Sequence, residues 1–232
     1  MQKEDLQVVR KIQLFSAMSD EHFDDMVQNA MLMRFPANAQ VIWEGESADF
    51  LHIILEGTVE LFGSSDERET TMLVLRCGCT YNLSAVLEDA SYLMSARTLS
   101  ESRILMIPGR DLRRVMEEDN AFSHAMVEEL AQRYRTVIRS FKEERLRSGI
   151  ERLANYLLRA HEQNRENDFI ELTEDKKKLA ALLGMTPEYL SRAFTALRKY
   201  EVLVKGNRIT LNNVDALTQF AKPNPLIDRL ST

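Results

Sequence analysis

Near residue 109 the spacing of apolar residues changes period, and no single-layer fold accommodates that change. Before it, short apolar runs (MRFP, QVIWEGES, DFLHIILEG, TVELFG, TTMLVLRCG) are separated by Gly45, Gly57, Gly63 and Gly78. Glycines between such runs are what turns between strands require. In FLHIIL the apolar residues are too continuous for a half-exposed strand, so this run is expected inside a sandwich or barrel. Residues 5–34 precede this all-β unit and read as helical, interrupted around LFSAMS. Ser19 opens a helix carrying Phe23, Met26 and Val27. From about residue 109 apolar residues recur every three or four positions, the period of a helix. The expected fold class is α+β.

Within 121–145, Val127, Leu130, Tyr134, Val137 and Phe141 step by three and four and form an a/d seam. Glu128, Arg133, Arg135 and Arg139 fall outside it. An overlapping seam runs through Ala131, Tyr134, Ile138 and Phe141, so the stripe is broad. A helix this long beside a small β unit has surface left for a partner helix, and a homodimer is expected. Ser148-Gly149-Ile150-Glu151 is a capping box, which marks a fresh helix start. The expected domains are 1–109, a sensor unit with N-terminal helices; 110–147, a long dimerisation helix and hinge; and 148–232.

The chain has 232 residues, room for two domains, and a net charge of −6. That charge is unevenly spread. Residues 1–147 hold 17 Lys and Arg against 25 Asp and Glu, or −8; residues 148–232 hold 13 against 11, or +2. Nucleic acid suits only the second part. No apolar run approaches the roughly 20 residues of a membrane helix. The N-terminal MQKEDLQVVRKIQLF lacks the apolar region of a signal peptide, so a cytoplasmic protein without a membrane partner is expected. Cys77 and Cys79 exclude a disulfide framework and a four-cysteine metal site. They are expected as two buried, inert thiols, with a thiol switch as the alternative.

The second part reads as helix, polar turn, short strand (FIEL), two helices and a strand pair around Gly206-Asn207, a hairpin signal. Thr173 is expected to cap the first of the two helices, whose inner face is Leu179, Ala180 and Leu183. Gly184 breaks it. Thr186, Pro187 and Glu188 then stand in the order of N-cap, first helical position and first-turn acid. Leu190, Ala193, Phe194 and Leu197 make the next helix's apolar face. Two helices joined by a short glycine turn form a helix-turn-helix, and the hairpin supplies a wing. Such a second helix enters the major groove N-terminus first. Glu188 can accept from a cytosine amino group, and Arg192 can fork onto guanine. Ser191 is short enough to touch a base or a phosphate. Thr186, Pro187, Tyr189, Lys205 and Arg208 complete the expected DNA-contacting set. Lys176, Lys177, Lys178, Arg198 and Lys199 are further cations for phosphates.

LTEDKKKLAALLGMTPEYLSRAFTALRKYEVLVKGNRITL resembles the winged helix-turn-helix of the CRP/FNR family of bacterial transcription regulators. LFSAMS and VIWEGESADFLHIILEGTVELF resemble that family's β-roll, its cyclic-nucleotide-binding-like sensor domain. The resemblance spans nearly the whole chain. It implies a sensor β-roll, a dimerisation helix and a C-terminal DNA-binding domain. Glu188, Ser191 and Arg192 match the E-x-x-S-R triad of the FNR-like branch, which implies double-stranded DNA with palindromic TTGAT-like half-sites. RNA polymerase is implied as a partner.

The sensor departs from the family pattern. In YNLSAVLEDASYLMSAR, the ribose-binding glutamate position falls on Leu83 or, with a one-residue slip, Ser84. The phosphate-binding arginine position falls on Met94, before Ser95, with Arg97 just beyond. Glu88 and Asp89 would repel a phosphate. Leu83, Ser84, Val86, Tyr92, Met94, Ser95 and Arg97 are the candidate effector-pocket residues. Cyclic AMP is disfavoured, haem stays open, and the signal is not identified. His52 sits in a strand and reads as a packing residue. There is no P-loop, G-x-S-x-G or H-E-x-x-H, so no enzyme is expected. The alternative is a small-molecule- or cyclic-nucleotide-binding module that acts on a protein partner.

Overall fold

The structure is a computed structural model that describes residues 3–66, 68–164, 169–172 and 175–228. It divides into two compact units, Met1–Ala131 and Gln132–Thr232, with the division inside one long helix. No helix among the described residues is long and apolar enough to cross a membrane.

The first unit opens with α1 (Lys3–Arg10), α2 (Gln13–Ser16) and α3 (Asp20–Gln28). Ser19 caps α3, its side chain accepting from the His22 N–H, and Phe23, Met26 and Val27 are buried as expected. Strands begin at residue 31, earlier than the sequence pattern suggested: β1 (Met31–Phe35) already pairs in a sheet. There follow β2 (Gln40–Ile42), β3 (Phe50–Glu56), β4 (Thr58–Ser65), β5 (Arg68–Arg76), β6 (Thr80–Tyr81), α4 (Leu83–Glu88), β7 (Ser95–Thr98) and β8 (Ser102–Pro108). Two antiparallel four-stranded sheets result, ordered β1-β8-β3-β6 and β2-β7-β4-β5. One apolar core joins them through Leu51, Ile53, Val59, Leu61, Ala96, Ile104 and Ile107.

The FLHIIL run is β3, buried from Leu51 to Leu55. Gly45, Gly57 and Gly78 have φ near +90°, a conformation that favours glycine at these turns. Gly63 departs from expectation. It lies inside β4, paired with Thr70 of β5, next to a register shift in which Met72 of β5 is left without a partner residue, so the glycine does not end a strand.

Helices α5 (Gly109–Glu118) and α6 (Asn120–Leu146) follow. Asp119 breaks the chain between them and caps α6, accepting from the Phe122 N–H at 3.0 Å. The second unit holds α7 (Gly149–Gln163), β9 (Ile170–Glu171), α8 (Lys176–Leu182), α9 (Pro187–Leu197), β10 (Val202–Lys205), β11 (Arg208–Leu211), α10 (Val214–Ala221) and α11 (Pro225–Asp228). Its sheet is ordered β10-β11-β9. The Ser148–Glu151 capping box is formed in both directions. Leu153, Leu157, Leu179, Leu190, Phe194, Val202 and Leu217 build a separate core.

Candidate nucleic-acid interface

Helix α8 starts at Asp175, whose carboxylate accepts from the Lys178 N–H at 2.8 Å. Thr173, expected as this cap, lies outside the described residues. Leu179 and Ala180 face the core. At the other end the Met185 N–H reaches the Ala180 carbonyl and the Gly184 N–H the Ala181 carbonyl, both at 2.9 Å, with Gly184 at φ +61°. That pair of bonds is a Schellman ending, and the left-handed residue it requires is the glycine. The chain reverses in two residues. Thr186 then caps α9, accepting from the Tyr189 N–H at 3.2 Å, with Pro187 at the first helical position where no amide is needed.

The apolar side of α9, Leu190, Ala193, Phe194 and Leu197, is buried, which fixes where its other side points. Glu188, Ser191 and Arg192 are exposed on that other side, three and four residues apart. The Arg192 guanidinium lies 5.7 Å from the centroid of the half-buried Tyr189 ring. Glu188 is held below the usual carboxylate range by its own backbone N–H, by Thr186 and by the nearby Arg192 charge. The face therefore presents an exposed anion beside an exposed cation. Behind it lies a depression of about 400 Å³ between Gly149, Arg152, Gly184, Met185 and the Thr186–Tyr189–Arg192 side of α9.

Strands β10 and β11 pair directly across Gly206-Asn207, placing Lys205 opposite Arg208 at an exposed tip. Arg208 stacks 4.5 Å from the Phe169 ring centroid. Lys176, Lys177, Arg198 and Lys199 are also exposed. All eight residues expected to contact DNA thus belong to the helix-turn-helix or to the tip of its wing.

Sequence reasoning missed Arg152. From α7 its Nε donates to the Leu183 carbonyl at 2.8 Å and its Nη2 to the Gly184 carbonyl at 3.1 Å, so it grips the turn before α9. Its position on the polar flank of an amphipathic helix gave no local signal. Only the pairing of distant segments exposes it.

On α6, Val127, Tyr134, Val137 and Phe141 are 64%, 68%, 64% and 53% exposed, a continuous apolar seam. Leu130 differs, being half-buried and packed on the core of the first unit.

The expected effector residues do not gather around an open site. Leu83, Val86 and Tyr92 are buried in the core, Met94 packs against it, and Ser84 is exposed. The Tyr92 hydroxyl donates to the Phe50 carbonyl at 3.2 Å, and Ser95 Oγ accepts from the Glu44 N–H at 3.0 Å. Arg97 is the one cation between residues 81 and 97. Its Nε donates to the buried Glu60 at 2.6 Å, its Nη1 to Glu69 at 3.0 Å, and it stacks 4.3 Å from the Phe62 ring centroid. Thr71 also donates to Glu60. Asp89 pairs with Arg113, which also donates to the Val86 carbonyl. These residues do not fit a cyclic nucleotide: the guanidinium is already neutralised, and an unneutralised phosphate in an apolar site costs far too much. The acid in TVELF is the sequence signal for this ion pair, since a charge on a core strand needs a partner.

His52 is buried, stacked 5.0 Å from the Tyr81 ring and edge-on to Tyr92. Burial pushes its imidazole down to about 4 against an opposing hydrogen bond to the Phe50 backbone, so it is neutral at pH 7. The thiols are not both buried. Cys77 is exposed, its thiol donating to the Leu55 carbonyl at 2.9 Å, because it sits on the open side of the β5–β6 turn; Cys79 is half-buried and also free.

Two family models match the chain. Residues 32–119 match a cyclic nucleotide-binding domain, and residues 151–220 match a Crp-like helix-turn-helix domain. A curated relative, potassium channel AKT2/3 of Arabidopsis thaliana, is 32% identical over 95 residues, covering 40% of this chain but only 12% of the channel. Among solved structures, a crp/fnr-family transcriptional regulator of Eubacterium rectale superposes with a TM-score of 0.70 at 17% identity. The match covers 90% of this chain and 98% of that one. FixK2 of Bradyrhizobium japonicum gives 0.68 at 17% identity, covering 88% and 99%. At these identities the structural likenesses bear on the fold.

Proposed function

We propose that the chain, a member of the CRP/FNR family of transcription regulators with a cyclic nucleotide-binding domain followed by a Crp-like helix-turn-helix, reads a palindrome as a homodimer. Glu188, Ser191 and Arg192 are the base-reading residues. The observation that carries this is the exposed polar face of α9, an anion and a cation one helical turn apart over a buried apolar face. Arg192 forks onto guanine O6 and N7, Glu188 accepts from a cytosine amino group, and each such pair discriminates by about 1–3 kcal/mol. Tyr189 supports the Arg192 guanidinium from one side. Thr186, Pro187 and the α9 N-terminus approach the backbone, and Lys205 and Arg208 hold phosphates from the wing.

The exposed α6 seam is the surface for a second copy of α6. Leaving such large apolar side chains in water costs about 25 cal/mol per Å². Pairing α6 with its copy places two α9 helices on half-sites about 34 Å apart, one turn of the duplex. The E-x-x-S-R triad favours TTGAT-like half-sites, and membership of a family of transcription regulators favours contact with RNA polymerase. The chain itself acts as a regulator rather than an enzyme.

Selection from a duplex library with a randomised core tests this. The expected result is an enriched inverted TTGAT-like repeat, with affinity falling steeply as salt rises through released counterions. Enrichment of an unrepeated site would sink the homodimeric reading. Absence of any duplex binding at low salt would favour the protein-partner alternative.

A further inference from the structure

Helix α6 ends at Leu146 and α7 starts at Gly149, so two residues join them. The joint carries one capping box, formed between Ser148 and Glu151. The structure adds two polar ties across it. Asp228, in α11, accepts from Arg147 through both oxygens, at 2.7 and 2.6 Å, and from Arg159 Nη1 at 2.7 Å. Glu143 Oε1 accepts from the same two guanidiniums at 3.3 and 3.1 Å. One four-member cluster, two cations and two anions, therefore binds the last turns of α6, the linker, α7 and the segment after α10. It is largely withdrawn from water: the Arg147 and Asp228 side chains are 8% and 11% exposed. Asp228 is further fixed by the Asn224 N–H at 2.6 Å.

Arg152 makes the second tie. Its Nη1 donates to the Arg147 carbonyl at 2.9 Å and weakly to the Glu144 carbonyl at 3.4 Å. Its Nε and Nη2 hold Leu183 and Gly184, as described above. One planar fork thus spans the end of α6 and the turn from which α9 starts, and only arginine has donors placed to do so.

We propose that Asp228 and Arg152 are positioning residues for operator recognition. Asp228 fixes the angle at the α6–α7 joint, and Arg152 transmits it to the turn before α9. In a dimer they thereby set the separation of the two recognition helices. A displacement of one base step, about 3.4 Å, moves each reading side chain to the wrong pair. The inference rests on the homodimeric reading above, and its test separates the two.

The probes are duplexes bearing the half-site recovered from the randomised library, once or as an inverted pair whose spacing is varied by one and two base pairs. The parent should show a sharp spacing optimum; no preference of the parent for the pair over the single half-site overturns the dimer, and this proposal with it. Asp228→Asn should bind the single half-site within about twofold of the parent. It should lose roughly fivefold or more of the preference for the optimal spacing. Asp228→Glu should restore most of it, whereas Arg152→Gln, which also frees the turn before α9, should lose the spacing preference and weaken the single half-site as well. The proposal is overturned if Asp228→Asn keeps the parent's spacing preference, or if single and paired sites weaken by the same factor. Should Asp228→Asn fail to fold by circular dichroism, Arg159→Gln removes one arm of the cluster and is judged by the same two criteria.

Discussion

The ring of Tyr189 closes against the bare Cα of Gly149, so that a methyl built at position 149 would stand 2.5 Å from Cε1. The first residue of α7 and the first turn of the recognition helix are thereby in direct register. Gly149→Ala relieves glycine's backbone cost, worth about 0.5–1 kcal/mol, but forces an overpacked contact of about 1–3 kcal/mol. The second term wins. A net destabilisation of about 1 kcal/mol in urea unfolding is expected, with DNA affinity reduced because Tyr189 can yield only by disturbing the first turn of α9. An unchanged midpoint and affinity would show that the ring moves freely.

Acid should weaken the first unit in two separate windows. Burial lowers His52 from 6.5 to about 4, so between those values the unfolded chain binds a proton that the folded chain refuses. Stability therefore falls as pH drops from 6.5 to 4, by roughly 3 kcal/mol for a shift of this size. Asp119 is lowered from 3.8 to about 2: burial opposes this, but the Phe122 and Ser19 N–H groups and the His22 ring outweigh it. Its contribution is present above pH 3.8 and is lost as pH falls towards 2. His52→Phe keeps the stack on Tyr81 and should flatten the upper window only. Urea midpoints at pH 7, 5 and 4 measure it, and a parent slope surviving in His52→Phe would assign that window elsewhere.

Val137→Glu places a charge in the middle of the exposed α6 seam. Sedimentation should show a dimeric parent and a monomeric variant. Because position 137 is solvent-facing in the single chain, the variant should keep the parent's far-UV circular dichroism, and its thermal midpoint should lose the parent's dependence on protein concentration. A variant that stays dimeric would move the interface off this seam.

Cyclic AMP at millimolar concentration should give no binding heat and leave DNA affinity unchanged. Arg97 is already held by Glu60 and Glu69, and Leu83 is in the core. Saturable heat would require that ion pair to open.

Much of this was legible locally. The period change near residue 109, the Ser148–Glu151 box, the Gly184 break and the apolar side of α9 are features of neighbouring residues, and each forms as expected. What escaped depends on chain segments far apart. Glu60 and Arg97 meet across a strand register, and Arg147 and Asp228 across 81 positions. Asp175 capped α8 where Thr173 was expected, two residues of equal capping chemistry that spacing alone does not rank. Gly63 sits inside β4, and a glycine within a strand looks in sequence like one between strands. Helices α10 and α11 are short and follow the hairpin without a strong local pattern, and the Asp228 cluster depends on them.

Base reading by α9 is the central claim, and one paired comparison tests it. Arg192→Ala and Lys205→Ala are titrated against the selected half-site and against random duplex at one salt concentration. Arg192→Ala should lose about 1–3 kcal/mol on the half-site and little on random DNA, whereas Lys205→Ala should weaken both alike and reduce the salt slope by about 1. Equal losses on the two duplexes for Arg192→Ala would contradict the account.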